Sequence, residues 1–293
     1  MSNILMMKRT ALKIGYIGTN FHGFQRQPDL RTVEEELIYH LRKLNYIDDL
    51  KASRFRIAGR TDAGVHSLGN VISFQSEKEV QINEINHSLP DDIQILAKAP
   101  VRYAFKPRYA QMRHYRYILF QDFDVDKLRE CGEVFKGTHN FTNFTKRHQK
   151  TTTRTIDDIK ITKVSLDDYH KKEFPNLHET LSPIFVDIYG ESFLWNMIRK
   201  MMRVFIDVNM GKMDLDDVER LLNPQKDEPR AYIKVTEPEY LILMDTQYDG
   251  IKFEYDDYAC ERFRRNLADS LNDFQKKYAI REVMIKSLNE LSF

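Results

Sequence analysis

The chain predicts an α+β fold in which strands and helices alternate, and two observations carry that prediction. Apolar residues switch repeatedly between a period of two and a period near 3.6, so strand and helix signals follow one another along most of the sequence. The length of 293 residues also exceeds one small domain and suits one large or two medium units with cores of their own. Hydrophobic residues make up 42% and aromatics 12%, the balance of a folded chain rather than a disordered one.

Residues 12–17 alternate like a strand, and residues 18–28, rich in Gly and polar types, read as a long loop. A helix is predicted from Thr32, with Thr32 and Glu35 spaced as a capping box and Val33, Leu37, Leu41 and Leu44 as its apolar stripe. Short β-rich runs at 55–58 and 71–74 flank Gly59-Arg60-Thr61-Asp62-Ala63-Gly64, which should be a loop at the edge of a sheet. A strand at 93–98 ends the first half, and residues 100–107 cross into the second. There, strands are predicted at 114–120, 156–164, 184–189 and 241–248, and helices at 125–135, 193–209 and 215–222, followed by a polar helix at about 267–280. The corresponding units are 1–104, an N-terminal α+β half; 105–255, a C-terminal α+β half; and 256–293, a helical tail.

Several classes of function are disfavoured. Apolar stretches fall well short of the roughly 20 residues that span a bilayer, and residues 1–10 lack a signal-peptide core, so a cytoplasmic protein is expected. Cys131 and Cys260 lie too far apart for a Cys-x-x-Cys site, which argues against structural zinc. Net charge is only +1, but residues 101–154 hold twelve Lys/Arg against five Asp/Glu, so a basic middle sits in a chain that is otherwise acidic. Such a segment can take a polyanion, although for the charges taken alone a solvated surface is the default reading.

Three local patterns point to chemistry. On the helix predicted after Ser192, Asn196, Lys200 and Arg203 form a polar face, whereas Arg199 shares a face with Trp195, Met202 and Ile206. A guanidinium directed into apolar surroundings calls for a carboxylate partner, unless the side chain snorkels to water. Asp62 sits in a turn-forming run and, taken alone, reads as a turn or cap residue. In the strand at 114–120, a period of two puts Arg113, Tyr115 and Tyr117 on one face, a pattern able to stack a base or simply to pack on a helix.

Together these strings resemble the TruA family of tRNA pseudouridine synthases in order and spacing over most of the chain. Residues 16–27 resemble the family's first loop, and Gly59 to His66, with Gly69 and Asn70, resemble its most diagnostic segment, in which the Asp is catalytic. Phe105, Pro107-Arg108, Ala110 and residues 113–118 resemble the second motif, residues 190–199 the third, and 241–248 the last strand. Residues 137–145 are closer to the archaeal and eukaryotic branch, Phe24 stands where many members carry tryptophan, and residues after 255 have no clear counterpart.

The resemblance implies a pseudouridine synthase fold: a central mixed, mostly antiparallel sheet flanked by helices, built from two RRM-like halves with a cleft between them. It implies Asp62 as the catalytic carboxylate, Arg199 as the cation that holds and orients it, and Tyr115 against the uracil. Arg60 would help extrude the target nucleotide. Gln25, Arg26, Arg108, Arg113, Arg116 and Leu194 would bind substrate, with Lys146, Arg147 and Lys150 adding basic groups to the cleft. No metal or other cofactor is implied, because the isomerisation involves no redox change. The partner implied is tRNA, with positions 38 to 40 of the anticodon arm as the expected target, on a homodimer. A non-catalytic RRM-like module is the alternative, and a glycosidase lacks a second acid.

Overall fold

The computed structural model describes residues 7–146, 151–164, 183–225 and 229–290. In chain order the strands are β1 (Lys8–Tyr16), β2 (Arg56–Ile57), β3 (His66–Ser76), β4 (Ile93–Pro100), β5 (Met112–Leu119), β6 (Gly137–Asn140), β7 (Thr153–Ile156), β8 (Asp158–Lys163), β9 (Ile184–Gly190), β10 (Leu241–Gln247) and β11 (Glu254–Tyr255). The helices are α1 (Val33–Lys43), α2 (Ile82–Ser88), α3 (Val125–Phe135), α4 (Met197–Asn209), α5 (Leu215–Leu222) and α6 (Asp257–Glu290).

One nine-stranded sheet runs β11-β4-β1-β3-β10-β5-β9-β8, with β2 alongside β3, while β6 and β7 form a separate ribbon. Every pairing in the large sheet is antiparallel except that of β3 with β10, where His66 lies opposite Ile242 and Ser67 opposite Leu243. The two halves of the chain therefore meet at the one parallel pairing, β3 with β10, inside a continuous sheet, and again where β11 pairs with β4 at its edge. The Asp62 loop precedes β3, so it lies at the centre of the sheet and not at its edge as expected.

Strand alternation sends each sheet face to a different fate. In the N-terminal half, Leu12, Ile14 and Tyr16 of β1 pack with Ile72 and Phe74 of β3 under α1 and α2. In the C-terminal half, Tyr117 and Leu119 of β5 and Val186 and Ile188 of β9 pack against α3, α4 and α5. The α6 helix is no detached tail, because Ala259 and Phe263 are buried against the N-terminal half and a Cβ on Gly15 would strike the Phe263 ring. It spans 34 residues, far beyond the expected 267–280, since propensity and i,i+3 pairs such as Glu261–Arg264 and Asp273–Lys276 extend it past its packed turns. Among the described residues no helix is long and apolar enough to cross a membrane.

Other expectations need correction. α1 begins where predicted, but Thr32 makes no side-chain cap; its hydroxyl is buried, and the first helical amides instead meet carbonyls of the preceding loop, Val33 to Gly23 at 3.3 Å and Glu34 to Phe24 at 2.9 Å. α4 starts at Met197 rather than near 193, because Asn196 adopts the left-handed conformation (φ 62°, ψ 4°) and breaks the run. Lys200 does not sit on a polar face: it is buried, and its ammonium donates to the Asn143 carbonyl at 2.8 Å from a segment that covers that side of α4. The strand expected at 156–164 divides at Asp157 between the small ribbon and the large sheet.

Candidate active site

Three backbone segments converge at the seam, and two glycines permit the approach. A Cβ on Gly18 would lie 2.1 Å from the Val65 carbonyl oxygen, so only glycine lets the first loop rest on the chain after Asp62. Gly64 adopts φ 84°, and a Cβ there would meet Pro238 at 2.8 Å, which seats residues 236–239 against the same loop. The loop itself is braced from below. The Tyr16 hydroxyl shares a hydrogen bond with Thr61 Oγ1 at 2.8 Å, Asn70 Nδ2 donates to Gly59 O at 3.2 Å, and Phe24 N donates to Thr61 O at 3.1 Å.

His66 joins all three segments. Gly18 N donates to its Nδ1 at 3.1 Å, which places the ring proton on Nε2, and Nε2 in turn lies 3.1 Å from the Glu239 carbonyl oxygen as donor. Burial pushes the pKa of this imidazole down, against the opposing pull of the Glu239 carbonyl.

On this frame stands an ion pair. Arg199 Nη1 donates to Asp62 Oδ2 at 3.0 Å, with side-chain exposures of 15% and 19%. Arg199 is fixed by Thr236, whose carbonyl accepts from Nε at 2.8 Å and whose hydroxyl donates to the Arg199 carbonyl at 2.9 Å. Among the described residues Asp62 Oδ1 accepts no hydrogen bond, so one oxygen of the carboxylate faces open space. That space is a cavity of about 380 Å³ lined by Arg60, Asp62, Arg108, Tyr115, Leu194 and Arg199. Tyr115 rests edge-on against Phe193, with ring centroids 5.3 Å apart, and burial pushes its hydroxyl up to about 12; Arg113 opposes this shift and Asp62 adds to it. The phenol is therefore neutral at ordinary pH.

A second, larger cleft of about 730 Å³ opens beside the first and shares Arg60, Asp62, Trp195 and Arg199 with it. Gln25, Arg26 and Lys146 line its outer part. Arg26 is held at the rim by Glu34, which accepts from the Arg26 backbone amide at 3.0 Å.

Eight of the ten residues singled out in the sequence thus surround the two connected cavities, and two do not. Arg113 is on the correct strand face but is 7% exposed, because its guanidinium donates to the carbonyls of Ala58 (3.0 Å), Arg108 (2.9 Å) and Glu191. It ties together the three motifs and presents no charge to a phosphate. Arg116 lies on the opposite face of β5, where Asp187 binds it at 2.8 and 2.9 Å. Arg147 and Lys150 lie outside the described residues. The sequence reading passed over Thr236, because nothing in residue type marks the stretch before β10 as the support of a side chain 37 positions away. It assigned no role to His66, although that residue lies inside the diagnostic octapeptide.

A mostly antiparallel sheet with one parallel seam, and at that seam a half-satisfied carboxylate paired with arginine in a cavity the size of a nucleoside, is the arrangement expected of a pseudouridine synthase. Residues 133–249 match the family model described as tRNA pseudouridine synthase. A tRNA pseudouridine synthase A from Methanobrevibacter smithii is 81% identical over 286 residues, covering 97% of this chain and 99% of the relative. Similarly named proteins from Methanothermobacter thermautotrophicus (42% identical, 97% of this chain and 98% of the relative) and Thermococcus sibiricus (41%, 96% and 100%) also match. The chain belongs to the TruA family of tRNA pseudouridine synthases, isomerases that convert uridine in tRNA to pseudouridine. The relatives reported are archaeal, in keeping with the branch that residues 137–145 suggested.

Proposed function

We propose that Asp62 is the carboxylate of this isomerisation, that Arg199 and Tyr115 complete the reacting centre, and that the target lies in the anticodon stem-loop, at positions 38 to 40. The observation that carries the first part is that Arg199 engages only Oδ2 of Asp62, in a cavity also lined by Tyr115 and Leu194. Isomerisation breaks the bond between N1 and the anomeric carbon, turns the base, and joins C5 to that carbon. The C5 proton departs and N1 gains one, so no electrons enter or leave.

Asp62 serves either by attack at the anomeric carbon or as the base that starts glycal formation, and both routes need an ionised oxygen beside the sugar. The Arg199 contact holds Oδ2 and aims Oδ1 into the cavity. A neutral Tyr115 phenol supports a role against the uracil ring and, through water, in moving the C5 proton. Arg60, exposed and common to both cavities, suits extrusion of the nucleotide, and Gln25, Arg26, Arg108 and Lys146 suit the backbone on either side. Phosphate contacts of this kind make binding fall with salt.

The same reading places the enzyme in the cytoplasm with its tRNA and gives it two copies per assembly. Exposed apolar residues on the outer half of α6, including Phe274, Ile280 and Ile285, supply a surface for the second copy. Size-exclusion chromatography with light scattering checks this, with a dimer expected.

The test of the reaction is tritium release from [5-³H]uridine-labelled tRNA, followed by mapping of the modified position. Release with pseudouridine in the anticodon arm is expected. Binding without release across a tRNA panel would favour a non-catalytic RNA-binding module, and release with modification elsewhere would move the target.

A further inference from the structure

Trp195 has no part in the ion pair and none in the bracing of the loop, yet it borders both cavities. Exposure alone does not single it out, since Tyr103, Tyr109 and Tyr232 are more exposed than its 38%. Position does. Among the described residues it is the one exposed aromatic that lines both spaces, and its orientation is set by the chain around it. Leu194 (4% exposed) and Met197 (0%) are anchored in the core on either side, and Met197 N donates to Leu194 O at 3.1 Å. The left-handed Asn196 between them ends the helical run, so Trp195 lies outside α4, partly exposed and lining both cavities. An asparagine held in that conformation at a cavity rim is the kind of backbone feature that persists where geometry serves a ligand.

The cavity volumes limit what the indole can meet. The inner space, about 380 Å³, lies at the low end for small-molecule sites and suits one extruded nucleotide. Trp195 is a wall common to both spaces, so RNA that continues from that nucleotide into the larger cleft passes the indole. Cationic side chains, Arg26, Arg60 and Lys146, line that cleft and suit phosphates, while a flat aromatic surface suits the face of a base.

We propose that Trp195 is the stacking platform for the nucleobase immediately next to the target uridine. This rests on the proposed reading of the inner cavity as the seat of the target. Trp195 binds and positions RNA in the ground state and takes no part in the bond changes.

The test is a binding cycle with full-length chain and tRNA assembled from synthetic pieces. An abasic nucleotide replaces the residue on the 5′ side of the target, or in a second RNA the one on its 3′ side, and each RNA is titrated with wild type, Trp195→Ala and Trp195→Phe. Removing a stacked base, or the indole beneath it, should each weaken binding roughly ten- to a hundredfold. At one of the two neighbours the losses should not multiply: Trp195→Ala should bind the abasic RNA about as well as it binds the intact one. Trp195→Phe, which keeps an aromatic face, should retain most of the affinity.

Because Trp195 is the single tryptophan of the chain, wild-type fluorescence gives an arm that needs no variant. Intact RNA should quench it, and the abasic RNA that shows coupling should not. Losses that multiply at both neighbours, or quenching that survives both abasic substitutions, would overturn the proposal, as would a wild type that binds no tRNA. Turnover does not enter the cycle, so binding with coupling but without pseudouridine formation would refute the catalytic reading and leave the stacking platform in place.

Discussion

Two of the aspartate–arginine pairs in this molecule, Asp187–Arg116 and Asp62–Arg199, differ in how fully the carboxylate is satisfied. Asp187 on β9 receives both Nε and Nη2 of Arg116, at 2.8 and 2.9 Å, together with His114 at 2.6 Å, and its side chain is 8% exposed. Burial alone would raise its pKa, but the His114 and Arg116 bonds outweigh that and hold the carboxyl below its ordinary value. Asp62 receives one nitrogen of Arg199 on one oxygen, and its other oxygen faces a cavity. A carboxylate with both oxygens engaged holds structure, whereas one held through a single oxygen keeps the other for chemistry. The arginines differ in the same sense: Arg199 is shared with the Thr236 carbonyl, so its direction is set by the protein and not by the aspartate alone.

If that contrast is correct, disturbing each pair should have a different consequence. Arg199→Ala should lower pseudouridine formation on the order of 10²–10³-fold, since it removes a preorganised charge beside the reacting centre, and single-turnover rates with saturating tRNA measure it. Arg113→Lys should cost roughly tenfold in the same assay with little change in tRNA affinity, because one ammonium cannot reproduce donation to three carbonyls from separate loops. A large affinity loss without a rate loss would return Arg113 to the phosphate-binding role that its sequence suggested.

Asp187→Ala should leave turnover per folded molecule unchanged while lowering stability by about 3 kcal/mol in denaturant melts, as expected when a buried partner is removed from Arg116 and His114. The smallest effect concerns His66. Its folded pKa is lowered, so the stability gained from holding it neutral is complete above its ordinary value near about 6.5 and is lost as pH falls through the lowered folded value. In melts against pH, wild type should therefore exceed His66→Gln by a margin that narrows as pH drops from about 7.5 to about 5. A constant margin would contradict this.

What could be read in the sequence follows the range of the forces involved. α3 and α5 appear with the bounds that periodicity gave them, because each carries its own cap: Asp124 accepts from the amides of Asp126 and Lys127, and Asp214 and Asp217 form a reciprocal capping box. The Arg199–Asp62 contact was also legible, since a guanidinium on an apolar helix face calls for a carboxylate and the diagnostic octapeptide contains one. Side chains that answer to distant backbone were not. Arg113 is on the predicted face, but the carbonyls that bury it come from positions 58, 108 and 191. Lys200 has a polar type at a polar-looking position, and only the arrival of Asn143 gives its ammonium a buried acceptor. Arg116 was readable, in that the period of two that grouped Arg113 with Tyr115 already put Arg116 on the other face.

The most direct measurement sets Asp62→Asn beside Asp187→Asn, following tritium release from [5-³H]uridine tRNA per folded molecule together with the melting midpoint of each variant. The account predicts that Asp62→Asn loses release by several orders of magnitude, about 10⁴-fold, while melting close to wild type, and that Asp187→Asn melts earlier but keeps its release. Release retained by Asp62→Asn, or lost equally by both variants, would contradict it.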